Sequence, residues 1–191
     1  MRKLIEEYGA LNMNLRRRIR AMGEYGALLR AIVGQQLSTK AAESIFGRLL
    51  DLFGGEVPTP RQILDADPDG LRAAGLSRAK VAYLRDLAAR VEDGDLELDR
   101  LRELSDHEVA EQLTAVKGIG QWSADMFLMF QLGRPDVVPV GDLGIRHAVQ
   151  RLYGLEKIPG PKEVTRIAEP WRPYRTLASL YLWRSLRQEP I

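Results

Sequence analysis

The chain has 191 residues, 45% of them apolar, which is enough for one compact domain with a sizeable core. Its net charge is only +2, so contact with a polyanion has to rest on local patches rather than on overall charge. No run of about 18 or more apolar residues occurs, so no membrane-spanning helix is expected, and zero Cys excludes disulfides, zinc thiolate sites and an iron–sulfur cluster.

Met1-Arg-Lys-Leu-Ile-Glu-Glu lacks the apolar stretch of a signal peptide, and a cytoplasmic or nucleoid-associated protein is expected. Arg16-Arg17-Arg18-Ile19-Arg20 reads either as a phosphate-facing patch or as a solvated helix face. Leu28, Leu29, Ile32 and Val33 then form the buried side of a helix ending at Gly34. After Gln35-Gln36-Leu37, Ser38 is placed to cap a helix from Thr39 to Phe53, with Ile45, Leu49, Leu52 and Phe53 at helical spacing. Gly54 to Pro60 is a loop by its breakers, and residues 63–74 hold two short helices broken at Pro68. Ser77 caps a helix from Ala79 to Val91 whose inner face carries Val81, Leu84, Leu87, Ala88 and Val91.

Ser105-Asp-His-Glu108 fits a capping box, with Val109 and Leu113 pointing inward. The turn Val116-Lys117-Gly118-Ile119-Gly120 follows, its glycines suited to positive φ and to close approach by another backbone. The next helix, Gln121 to Leu132, is apolar nearly all round and reads as a buried central helix, with Trp122, Met126, Met129 and Gly133 near one stripe. Val137-Val138-Pro139-Val140-Gly141 leads to Asp142, which starts a helix with Ile145, Ala148, Val149 and Leu152 inward. Residues 163–169 and 174–186 give the last helices, separated by Pro170-Trp171-Arg172-Pro173. No alternating strand pair stands out, so the class is all-α. His107 and His147 form no metal-ligand pattern and read as structural or surface residues.

Val116-Lys117-Gly118-Ile119-Gly120 followed by Trp122-Ser-Ala resembles the helix–hairpin–helix of base-excision DNA glycosylases. Val138 to Arg146 resembles the segment that carries their catalytic aspartate. The likeness is to the DNA-3-methyladenine glycosylase II (AlkA-type) branch and covers roughly residues 24–188. It implies a two-lobed all-helical domain over 1–191. The hairpin lobe would span about 36–135, the second lobe would come from the N- and C-terminal helices, and DNA would lie across the cleft between them. The AlkA-type N-terminal β-sheet is expected to be absent.

The resemblance implies Asp142 as the catalytic carboxylate, although by itself the residue is also a plausible helix cap. It places Trp122, Met126 and Trp183 in the base pocket, although either tryptophan could equally be core packing. Met126 stands where the best-known members have a tyrosine, and Gly141 stands where many have a second acid or polar residue. Gln36 aligns with the wedge that fills the gap left by an extruded base. Lys117, Gly118, Ile119 and Gly120 align with the backbone grip. The carbonyls of Thr114, Val116 and Ile119 align with a monovalent cation site, for Na+ or K+; no other cofactor is expected. Trp122 occupies the place of the Schiff-base lysine in bifunctional relatives, so the resemblance implies a monofunctional hydrolase acting as a monomer on damaged double-stranded DNA. Alkylated purines, 3-methyladenine and 7-methylguanine, are the expected substrates. A non-catalytic hairpin DNA-binding module and a glycosylase for deaminated bases are the alternatives.

Overall fold

A computed structural model describes residues 1–11 and 22–186, so the arginine run at 16–20 lies outside the described residues. All regular structure among the described residues is helical. No helix there is long and apolar enough to cross a membrane. The described residues divide into two compact units, one over 22–127 and the other over 1–11 and 128–186.

In the central unit, α2 (Gly23–Gly34) buries Leu28, Leu29, Ile32 and Val33, the four positions expected from their spacing. Ser38 caps α3 (Thr39–Asp51) by accepting the Ala41 N–H. This helix ends two residues earlier than expected and is rotated relative to the predicted face: Phe46 and Leu49 are buried and Leu52 is exposed. The two short helices are α4 (Pro60–Asp65) and α5 (Pro68–Ala73), each opened by a proline behind a side-chain cap, Thr59 and Asp67. Ser77 caps α6 (Arg78–Glu92), which buries Val81, Leu84, Leu87 and Ala88. Helix α2 packs against α3 and α6, and α4 runs along α6.

The hairpin is α7 (Asp106–Thr114), a tight turn, and α8 (Gln121–Phe127). The predicted capping box is present: the Glu108 N–H donates to Ser105 Oγ, and the Ser105 N–H donates to the Glu108 carboxylate at 2.8 Å. Helix α8 continues into a π-helical stretch, Leu128–Leu132, which begins the second unit.

In that unit, α9 (Leu143–Tyr153) packs against α10 (Pro161–Ala168) and α11 (Arg175–Ser185), and α1 (Arg2–Tyr8) lies on α11. Ile145, Val149, Val164, Trp171 and Leu182 build its core. The Tyr181 hydroxyl donates to the Gly9 carbonyl at 2.7 Å, which ties the N-terminal segment to α11.

Candidate active site

Asp142 is the N-cap of α9. Its extended backbone (φ −69°, ψ 122°) turns the carboxylate back over the first helical turn, where Oδ1 accepts the Ile145 N–H at 2.8 Å. The same oxygen accepts the Trp183 Nε1–H at 2.9 Å. The capping role and the catalytic candidacy therefore reside in one carboxylate, at a helix end whose unpaired amides favour negative charge. Trp183 is held in turn by Phe130, their rings stacked at 25° with centroids 6.2 Å apart. Gly144 leaves room for the pair: a Cβ there would lie 3.0 Å from Asp142 Oδ1 and 3.4 Å from Trp183 Cδ1.

The segment leading to Asp142 is pinned to α11. Arg175 donates to both carboxylate oxygens of Asp136, at 2.7 and 2.9 Å, and Arg172 adds a third bond at 2.9 Å. The Arg175 guanidinium holds the Asp136 carboxyl below the usual carboxylate range, against the opposing effect of burial. The buried Thr176 hydroxyl donates to the Arg134 carbonyl and accepts the Val137 N–H. The Asp142 amide donates to the Pro139 carbonyl at 2.9 Å. The loop is thus bolted at several points, which fixes where the carboxylate emerges.

In the central unit, α8 is not buried all round as its composition predicts. Trp122 is 49% exposed on its first turn and Met126 is half-buried. The Trp122 indole is thus half covered and half in solvent. Between Trp122 and Met126 lies Asp125, absent from the sequence-predicted site residues, which is only 6% exposed and accepts the Gln121 Nε2–H at 2.8 Å. Burial pushes its carboxyl up to about 6, with the Gln121 hydrogen bond acting in the opposite direction. A lone acid inside an apolar helix was the signal that could have found it.

The hairpin turn separates the two glycines. Gly118 has φ +82°, and a Cβ there would enter the Tyr83 ring; Gly120 lacks positive φ, and a Cβ there would meet open space. The expected need for positive φ holds for Gly118 alone. The Lys117 N–H donates to Asp86 at 2.9 Å, with the Lys117 ammonium 3.2 Å from the same carboxylate, and the Ile119 N–H closes the turn onto the Val116 carbonyl. Burial opposes ionisation of Asp86, but Lys117 and Arg90 outweigh it and hold the carboxyl below its usual range. The amides of Lys117 and Ile119 are thus engaged within the fold. Among the described residues no bond is made by those of Gly118 and Gly120.

Gln36 is exposed, in the turn after α2, and has φ +59°, alone among the described non-glycine residues in the left-handed region. Tyr174, the residue before α11, is 64% exposed.

The sequence matches the HhH-GPD superfamily of base excision DNA repair proteins over residues 29–173. The chain belongs to this family. It is 40% identical over 163 residues to the DNA-3-methyladenine glycosylase 1 of Schizosaccharomyces pombe, a match covering 84% of this chain and 72% of the relative. The fold superposes on a Schizosaccharomyces pombe 3-methyladenine DNA glycosylase in complex with abasic DNA, with a TM-score of 0.83 and 36% identity, covering 98% of this chain and 91% of that one. A DNA-3-methyladenine glycosidase from Bacillus halodurans gives a TM-score of 0.81 at 36% identity, covering 97% and 88% of the two chains. Among the described residues this HhH-GPD chain is all-helical.

Proposed function

We propose that this chain is a monofunctional DNA glycosylase that hydrolyses the N-glycosidic bond of alkylated purines, 3-methyladenine and 7-methylguanine, in base excision repair. The observation that carries the chemistry is Asp142, fixed by Ile145 and Trp183 at a helix N-terminus. Breaking the bond between C1′ and the base nitrogen develops positive charge on the sugar, and a rigid carboxylate beside C1′ stabilises that charge. Water then adds its oxygen to C1′ and loses a proton, leaving an abasic site and the free base. N-methylation makes the purine cationic, so it departs as a neutral base and needs no strong general acid.

A base inside a duplex has to be turned out before it can react. Gln36 is read as the wedge: a left-handed backbone at an exposed non-glycine residue is strain of the kind found at functional sites. The Gly118 and Gly120 amides, with the Lys117 side chain, are read as the backbone grip, and Trp122, Met126 and Trp183 are each read as base-contacting residues. A cationic base over an indole face gains roughly 0.5–2 kcal/mol, which favours alkylated purines over neutral lesions. The DNA partner is double-stranded and damaged, and the protein acts as a monomer.

A monovalent cation is read at the carbonyls of Thr114, Val116 and Ile119. They are neutral oxygen donors, Thr114 at the end of α7 and Val116 and Ile119 in the turn that follows, and the Val116 carbonyl also accepts the Ile119 N–H. Bound there, it would stiffen the turn and add positive charge near a phosphate.

The test is single-turnover base release from duplexes carrying one defined lesion each. 3-Methyladenine and 7-methylguanine should leave much faster than hypoxanthine or uracil. Equal rates on the neutral bases would assign a different lesion class, and tight DNA binding without any release would make the chain a binding module.

A further inference from the structure

We infer that Gln35 and Lys80 are positioning residues that lock the wedge turn to the hairpin turn, so that extrusion of the base and grip on the backbone act as one rigid piece. This rests on the roles proposed above for Gln36 and for the Gly118–Gly120 turn.

The two turns lie far apart in sequence, yet the Gln35 Nε2–H donates to the Gly118 carbonyl at 2.6 Å. Lys80 secures the other side of the wedge turn: its ammonium donates to the carbonyls of Val33 and Gln35, each at 2.8 Å. Carbonyls at the end of α2 lack intrahelical partners, and a cation there also meets the negative end of the helix dipole. Between these anchors Gln36 sits in its left-handed conformation, closed by the Leu37 N–H on the Gly34 carbonyl at 3.3 Å.

Lys80 shares one face of α6 with the groups that hold the hairpin. Tyr83, three residues on, packs beneath Gly118, and Asp86, three residues further, takes the Lys117 amide and ammonium. One helical face therefore anchors both turns, and Gln35 ties them directly to each other. Lys80 is partly desolvated in this role, and burial lowers its pKa from the usual lysine value. The two bonds from its ammonium satisfy carbonyls at the end of α2 and at the same time fix the direction of Gln36 relative to the grip.

The test uses the full chain with Gln35→Met, which keeps the length of the side chain and removes the donor, together with Lys80→Met and Lys80→Arg. Single-turnover release is measured with the lesion in a paired duplex and with the lesion opposite an abasic gap, where extrusion needs little help. Gln35→Met and Lys80→Met should slow release from the paired duplex by about fivefold or more, the worth of one lost hydrogen bond. Release opposite the gap and affinity for undamaged DNA should be unchanged, and Lys80→Arg should restore the paired-duplex rate. Equal loss on both substrates, or none on the paired duplex, would overturn the positioning role. If Lys80→Met does not fold, Gln35→Met alone carries the same comparison. Failure of the functional reading would look different: the unsubstituted protein would release no base from either duplex.

Discussion

The indole of Trp183 and the carboxylate of Asp142 share one hydrogen bond, 2.9 Å long, across 41 residues of chain. A tryptophan expected to line the base pocket or to pack in the core thus also donates a hydrogen bond to the proposed catalytic carboxylate. The carboxylate Oδ1 receives two N–H donors, one from its own helix and one from α11. Substitutions can separate capping from catalysis because the two functions ask different things of the residue.

Asp142→Asn keeps an oxygen for the Ile145 and Trp183 donors, and asparagine caps helices as well as aspartate does. Thermal stability should stay close to that of the unsubstituted protein. Base release should fall by about 10²–10³-fold as the negative charge is lost. Affinity for DNA should hold or rise. Near-normal turnover in single-turnover assays would reduce Asp142 to a helix cap.

Trp183→Phe retains a ring against Phe130 but removes the donor to Asp142, and release should slow by about tenfold, as befits a hydrogen bond to a charged group. Gly144→Ala should also slow release, because its Cβ would sit 3.0 Å from Asp142 Oδ1. DNA affinity, measured by titration, should be unaffected in both. A rate unchanged in both variants would mean that the Trp183 bond does not position the acid.

The two hairpin glycines should respond differently to alanine. Gly118→Ala places a side chain at φ +82° and into Tyr83, so it should lose stability by about 1–3 kcal/mol from backbone strain alone. Gly120→Ala meets open space within the fold and should melt normally. Its methyl group should instead weaken binding to all DNA sequences alike, because phosphate contacts carry no base information. Full affinity in the folded Gly120 variant would count against close approach of DNA at that residue.

No Schiff base should form. Trp122 stands at the place of the lyase lysine, and the Lys117 ammonium is 3.2 Å from Asp86. Borohydride added during reaction with damaged DNA should trap no covalent complex, and a trapped adduct would establish a bifunctional enzyme.

Asp125 makes a pH prediction. Its folded-state pKa is raised to about 6, so between about pH 4 and 6 the folded protein holds a proton that the unfolded chain has lost. The Asp125 contribution to stability is therefore greatest in acid, declines across that window as pH rises, and is constant above it. Asp86 and Asp136, whose folded-state pKa values are lowered, have the opposite dependence, so the overall profile mixes the two. Asp125→Asn keeps an acceptor for Gln121 and removes the titration. Denaturant unfolding at pH 4, 5 and 7 should show the variant gaining on the parent protein as pH rises. A stability difference that does not change with pH would mean that the buried carboxylate does not titrate there.

Sequence alone determined what is written in short stretches. The period of the apolar residues placed the helices, and Ser38, Ser77, Ser105 and Asp142 marked where four of them begin, because a cap and its amide partner lie within three residues. The hairpin and the Asp142 segment were legible for the same reason. The inner face of α3 and the exposure of Trp122 were not, since a neighbouring element decides which side of a helix is covered. Only the tertiary structure brought Trp183 to Asp142, Gln35 to Gly118 and the space left by Gly144 to the Asp142–Trp183 pair. Those partners lie on different elements, and packing rather than local pattern selects the hydrogen bonds between them. The left-handed backbone of Gln36 belongs to the same class. Nothing in Gly34-Gln35-Gln36-Leu37 demands positive φ at a glutamine, and it persists where Lys80 and Gln35 anchor the turn on either side.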